Sequence, residues 1–179
     1  MRLFLYISIS FYFFISLLFA EETRQVDKHE HGVGELNIAI QSNTMVLEFM
    51  IPGADIVGFE YEAKSEQDKA TVNAALTKFE DYNNIFIIPT NSKCLLVSSK
   101  ININQEDDHD EHQEEAHNEF YAKYTFECGD IKSLDLLEFP YFETFSNSGE
   151  LEVQFVSEIG STSFEVEADS PIINIEGKI

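Results

Sequence analysis

Histidine is scarce in this chain of 179 residues: there are five, and they fall in two places. His29 and His31 stand just ahead of one alternating apolar run, and His109, His112 and His117 just ahead of another. A neutral imidazole nitrogen is the commonest side-chain ligand for zinc. In Lys28-His29-Glu30-His31 an extended backbone points both imidazoles to one side, where two of them can chelate a single ion. Asp107, Asp110, Glu111, Glu114 and Glu115 add carboxylates beside His109 and His112. A nitrogen and oxygen donor set of this kind suits Zn²⁺, although nickel and copper also bind imidazole well. His117 shares strand parity with Glu119 and Tyr121 and stands where the polar run gives way to a strand. It is therefore expected to be held in place while His109 and His112 move. Each piece has a plainer counterpart: an H-x-H pair alone is a weak signal, and a His/Asp/Glu run is often only a solvated loop.

Composition narrows the partners. The chain carries 33 Asp and Glu against 11 Lys and Arg, a formal charge of -22. That balance excludes a nucleic-acid binder, because neutralising phosphates takes clustered Lys and Arg. It equally disfavours docking on an anionic membrane surface. Hydrophobic residues make up 44% and aromatic residues 13%, too apolar for a disordered acidic chain. Met1-Arg2, the apolar run of residues 3–19 and Ala20 have the layout of a secretory signal peptide (residues 1–20) cut near Ala20. Residues 21–179 are then expected to be a single exported zinc-binding domain with no membrane insertion. Cys94 and Cys128 are the two cysteines. An even count in an oxidising compartment favours a disulfide closing a loop of about 35 residues. The alternative is a zinc ligand pair, which usually shows short C-x-x-C spacing.

The elements that must position the histidines are legible as alternation. Leu36, Ile38 and Ile40, the polar turn Gln41-Ser42-Asn43, and Leu47, Phe49 and Ile51 make a hairpin that Pro52-Gly53 stops. Ser65 with Asp68 resembles a capping box, and Val72, Ala75, Leu76 and Phe79 share one helical face. These predict one principal helix over about residues 64–82, lying across the sheet with its apolar stripe as core. Residues 85–88, 95–97, Ile101 and Ile103 look like strand material. Residues 104–118 hold no large apolar residue, three histidines and seven acids, and are expected to be a disordered, mobile acidic loop. Phe120, Ala122, Tyr124, Phe126 and Cys128 then alternate. Leu134, Leu136 and Leu137 suggest a short strand, Leu151, Val153 and Phe155 another, and Phe164, Val166 and residues 172–175 end the chain. The expected fold class is α+β with a mainly antiparallel sheet.

Two long motifs resemble a known family. The run from His29 through Gly32-Val33-Gly34-Glu35-Leu36-Asn37, followed by Pro52-Gly53-Ala54-Asp55-Ile56-Val57-Gly58-Phe59-Glu60, is similar to the ZrgA-like zinc-binding periplasmic proteins of Gram-negative bacteria. The run His117-Asn118-Glu119-Phe120-Tyr121-Ala122-Lys123-Tyr124-Thr125-Phe126-Glu127-Cys128, preceded by an acidic His-containing loop, resembles the second hallmark of that family. The resemblance implies a periplasmic protein that captures zinc and hands it to an inner-membrane ABC-type importer. By the same resemblance His29 and His31 fall in the first motif and His117 in the second. The loop here is short and modest in histidine, which weakens a storage role for it more than it weakens an ordered site.

Two other classes stay open on the residues alone. One is a zinc hydrolase with His29, His31 and His117 as ligands and Glu30 or Glu119 as base, although no H-E-x-x-H helix, nucleophile elbow or Gly-rich phosphate loop is present. The other is an exported β-rich envelope domain whose acids bind Ca²⁺ incidentally, without EF-hand spacing. An enzyme is not the expected outcome.

Overall fold

A computed structural model describes residues 32–105 and 118–179, with the side chains of 104 and 105 excepted. The expected leader and all five histidines lie outside the described residues, as does the body of the acidic loop.

Strands Val33–Gln41 (β1) and Thr44–Pro52 (β2) form the expected hairpin. Their even-numbered β1 and odd-numbered β2 side chains are buried, Leu36, Leu47, Phe49 and Ile51 completely. Pro52 does end the hairpin, but the chain then turns through a short helix, Gly53–Val57 (α1), that alternation did not signal. Gly58 closes α1 at φ +82, returning its N–H to the Ala54 carbonyl.

The principal helix is Glu66–Glu80 (α2), slightly shorter than expected at both ends. Ser65 caps it in the expected way, its hydroxyl oxygen accepting the Asp68 N–H at 3.0 Å. Val72, Ala75 and Phe79 are buried and Leu76 is half-buried. The Phe79 ring lies 6.1 Å from Phe120 and 4.9 Å from Phe145. The Phe79 carbonyl accepts the buried Tyr124 hydroxyl at 2.6 Å, so the helix is fastened to the sheet by a polar bond as well as by rings. Burial pushes the Tyr124 phenol well above its ordinary range, which keeps it a neutral donor.

Cys94–Gln105 (β3) and Asn118–Cys128 (β4) extend into the two ends of the loop expected over residues 104–118, so Asn104 and Asn118 belong to strands. Leu136–Glu138 (β5), helix Tyr141–Thr144 (α3), Glu150–Ser157 (β6), Gly160–Glu167 (β7) and Ile172–Asn174 (β8) complete the order. The large sheet reads β3-β4-β2-β1-β6-β7, and β5 pairs with β8 in a separate ribbon. The expected mainly antiparallel sheet is found in four of the five pairings, with one parallel exception. β1 and β6 pair in parallel, from Val33 opposite Glu150 to Ala39 opposite Val156, making the sheet mixed. Alternation reports which face a residue occupies and is silent about strand direction, and the long chain between β1 and β6 supplies the crossover that a parallel pair needs. Residues 85–88 are also corrected: Ile85 and Phe86 are core, but only Ile87 bridges, to Glu138. At residues 95–97 the register with β4 shifts at a bulge between Leu96 and Ser98, and Leu95, Leu96 and Val97 are all exposed.

One buried cluster unites β1, β2, β4, β6 and α2 with the ring group Phe49, Phe86, Tyr124 and Tyr141. Cys94 and Cys128 are joined as a disulfide between register partners of β3 and β4, with Cα atoms 3.8 Å apart. The zinc ligand pair considered for these two cysteines is thereby set aside. Replacing both with serine is expected to cost about 3–4 kcal/mol of unfolding free energy in the chain-entropy account. A urea melt of the variant beside the wild type, under non-reducing conditions, checks this; an unchanged midpoint would refute it.

Candidate functional site

The structure places the attachment points of both histidine segments at one end of the sheet. Strand β2 ends at Pro52, which is in register with Glu119 on β4. On its other side Met50 is in register with Glu35 on β1, which brings Val33, two residues earlier, level with Pro52. β1 and β4 therefore start on either side of the end of β2, about 10 Å apart at ordinary strand spacing. Gly32 and Asn118 are the first described residues after His31 and His117. His29, His31, His109, His112 and His117 all lie outside the described residues, and only the points where their segments join the sheet are described. Among the described residues no group of three His, Cys, Asp or Glu side chains is arranged to hold a metal ion.

Gly32 is held by three hydrogen bonds. Its carbonyl accepts the N–H groups of Gly149 at 2.8 Å and Glu150 at 2.9 Å. Its own N–H donates to Asp55 Oδ1 at 2.8 Å. Its φ of +89° lies in the left-handed region that glycine alone enters freely. Asp55 belongs to α1 and is only 3% exposed. A carboxylate so buried is stable only with hydrogen-bond donors around it, and a backbone N–H donating to a charged oxygen makes one of the stronger bonds available. Tyr141 lies nearby, its hydroxyl paired with Ser148 next to Gly149. Burial first, and the negative charge of Asp55 in addition, hold the Tyr141 phenol well above its ordinary range.

Asn118 is 4% exposed and is held by the same short stretch of chain. Its N–H donates to the Glu60 carbonyl at 2.8 Å. Its side-chain Nδ2 donates to the Tyr61 carbonyl at 2.5 Å. Gly53 makes this approach possible: a Cβ there would sit 2.7 Å from the Phe59 carbonyl oxygen and 2.9 Å from that of Asn118. Residues 53–61 thus touch both anchors, Gly32 through Asp55 and Asn118 through the Glu60 and Tyr61 carbonyls. Two shallow concavities flank them. Gly32, Val33, Gly149, Glu150, Glu167 and Asp169 line one, and Glu62, Ala63, Ile103 and Asn118 line the other.

Sequence reasoning found the histidines and read Gly53 only as part of the stop after the hairpin, and it gave no separate role to Asp55 or Asn118. Their signal was present only as the unbroken run of residues 52–60 and as a polar Asn opening an otherwise alternating strand. Which hydrogen-bond partner a buried polar side chain meets depends on contacts 23 and 57 residues away in sequence, and no local pattern encodes that.

Gly53→Ala is expected to destabilise the protein by about 1–3 kcal/mol, because the two clashing atoms are backbone oxygens that no rotamer change relieves. Amide exchange at Asn118 should accelerate in the same variant. Wild-type exchange at Asn118 with an unchanged melting midpoint would contradict the packing described.

Residues 28–175 match the family model described as ZrgA family zinc uptake protein. The matched span opens one residue before His29 and contains both anchors, the disulfide and the whole large sheet. No curated protein matches the chain.

Proposed function

The chain belongs to the ZrgA family of zinc uptake proteins, and from that premise we propose that it is an exported protein that captures Zn²⁺ in the periplasm and passes it to an inner-membrane ABC-type importer. Zinc is its cargo. His29, His31 and His117 form an ordered site at the end of β2, and His109 and His112 with their acidic neighbours gather and deliver the ion. The observation that carries this reading is the shared attachment of the two arms. Gly32 and Asn118, which adjoin His31 and His117 in sequence, are fixed on either side of one strand end and by one segment. The charge of -22 supports it, since a strongly acidic surface raises the local concentration of cations. No helix among the described residues is long and apolar enough to cross a membrane. The leader at residues 1–20 is the proposed export signal.

Calorimetry on residues 21–179 tests the assignment. Zinc binding should survive deletion of residues 105–116 and vanish in the variant carrying His29→Ala, His31→Ala and His117→Ala. Binding lost only with the loop would instead assign capture to His109 and His112. Affinity should fall as pH drops through about 6, because protons compete for imidazoles of unperturbed pKa ≈ 6.5. Equal affinity at pH 5 and pH 8 would rule out histidine ligation.

A further inference from the structure

We propose that the open face of the large sheet is the contact surface of a homodimer, with a second copy lying face to face on it across a two-fold axis parallel to the strands. The inference is independent of the zinc assignment. It starts from like charges placed side by side. Glu35 is in register with Glu152, and Glu152 with Glu165, so three carboxylates stand next to one another across β1, β6 and β7. On the other half of the same face Lys100 of β3 is in register with Lys123 of β4. All but the half-buried Lys123 are exposed. Like charges directly opposite one another destabilise a sheet, and an opposite charge set above them relieves that cost.

Both complements lie in one chain. The order β3-β4-β2-β1-β6-β7 puts the lysines in one half of the face and the three carboxylates in the other. A two-fold axis between β1 and β2 sets β3 and β4 of one copy over β7 and β6 of the second. Following the register across the sheet, Lys100 and Lys123 are level with Ser163 and Gln154. Glu165 and Glu152 stand two residues along those strands, about 7 Å away and within reach of a lysine side chain. The same rotation lays the row Thr125, Val46, Ala39 and Val156 upon its own copy, bringing Val46 onto Ala39. Ala39, Val46 and Val156 line a shallow concavity on this face. A cationic partner would satisfy the carboxylates and oppose the lysines, and an anionic one the reverse. A second copy satisfies both.

Size and long-range charge permit the contact. Six strands, with eight residues in each of β6 and β7, span about 29 Å by 26 Å, roughly 750 Å². That is near the ~800 Å² that each partner contributes to a stable interface. The charge of -22 opposes association at long range, but at physiological ionic strength screening confines the repulsion to about 8 Å, where the paired charges decide.

Sedimentation equilibrium of residues 21–179 at physiological ionic strength tests the proposal, with wild type expected at twice the chain mass. Lys100→Glu and Glu165→Lys should each sediment as a monomer. Both replace a like-charged register pair by an opposite one, so each monomer should keep or raise its thermal midpoint, and loss of the dimer is then not loss of the fold. Glu165→Lys also lowers the net negative charge. Simple repulsion between copies would therefore predict stronger association for it, where the proposal predicts loss. An equal mixture of the two variants should recover the dimer, because both cross-copy pairs are again opposite in charge. A monomeric wild type overturns the proposal, whether or not some other protein covers this face. So does a mixture that stays monomeric. A dimer that survives both substitutions but is lost in Leu96→Lys would assign the contact to the exposed edge of β3 and overturn it as well.

Discussion

An antiparallel strand begins where its partner ends, and β2 has two antiparallel partners, β1 and β4. That constraint arranges the end of the molecule where both histidine-bearing segments join the sheet. Two stretches of chain more than eighty residues apart in sequence enter the sheet on either side of one strand because both pair with it. The buried face of β2, with Met45, Leu47, Phe49 and Ile51 all at 0% exposure, makes that register hard to change. A slip of one residue would turn this whole apolar row to water.

The segment after β2 completes the arrangement. Pro52 and Gly53 end the strand, α1 reverses the chain, and residues 55–61 return across the two neighbouring strand starts. Asp55 reaches Gly32, and the Glu60 and Tyr61 carbonyls reach Asn118. The glycines serve this packing: Gly32 supplies a backbone angle, and Gly53 supplies the absence of a side chain where two carbonyls approach. The disulfide lies at the far end of β4, some ten residues or roughly 30 Å along the strand. It secures the edge pairing of β3 with β4 from a position remote from the anchors, and the Cys128 N–H reaches the β1–β2 turn at the Asn43 carbonyl.

The two faces of the sheet divide the labour. One carries the core under α2 and the aromatic group. The other bears cross-strand polar pairs such as Lys123 with Glu48, whose ammonium and carboxylate meet at 2.5 Å. That hydrogen bond first, and the charge of Glu48 in addition, raise the affinity of Lys123 for its proton, against an opposing effect of desolvation. The acids that dominate the charge fit this division: Glu35, Glu152 and Glu165 stand in register across β1, β6 and β7 on the face away from the core.

The range of each interaction decides how much of this is legible in the sequence. Alternation exposes β1, β2, β4 and β6, and the Ser65 cap with the Val72-Ala75-Phe79 stripe exposes α2, because burial on a pleated or helical surface repeats every two or 3.6 residues. An even count, with the expected export to an oxidising compartment, favours the Cys94–Cys128 pair. The motif around His29 and His31 and the one from His117 to Cys128 point to the family. The sequence by itself therefore determined the local elements, the candidate ligands and the family. Tertiary structure alone decided the parallel pairing of β1 with β6, the separate β5–β8 ribbon, and the meeting of Gly32 and Asn118 around Asp55, Glu60 and Tyr61. Those depend on which distant segments pack together, a choice made by the free energy of the whole core and written in no single stretch of the chain.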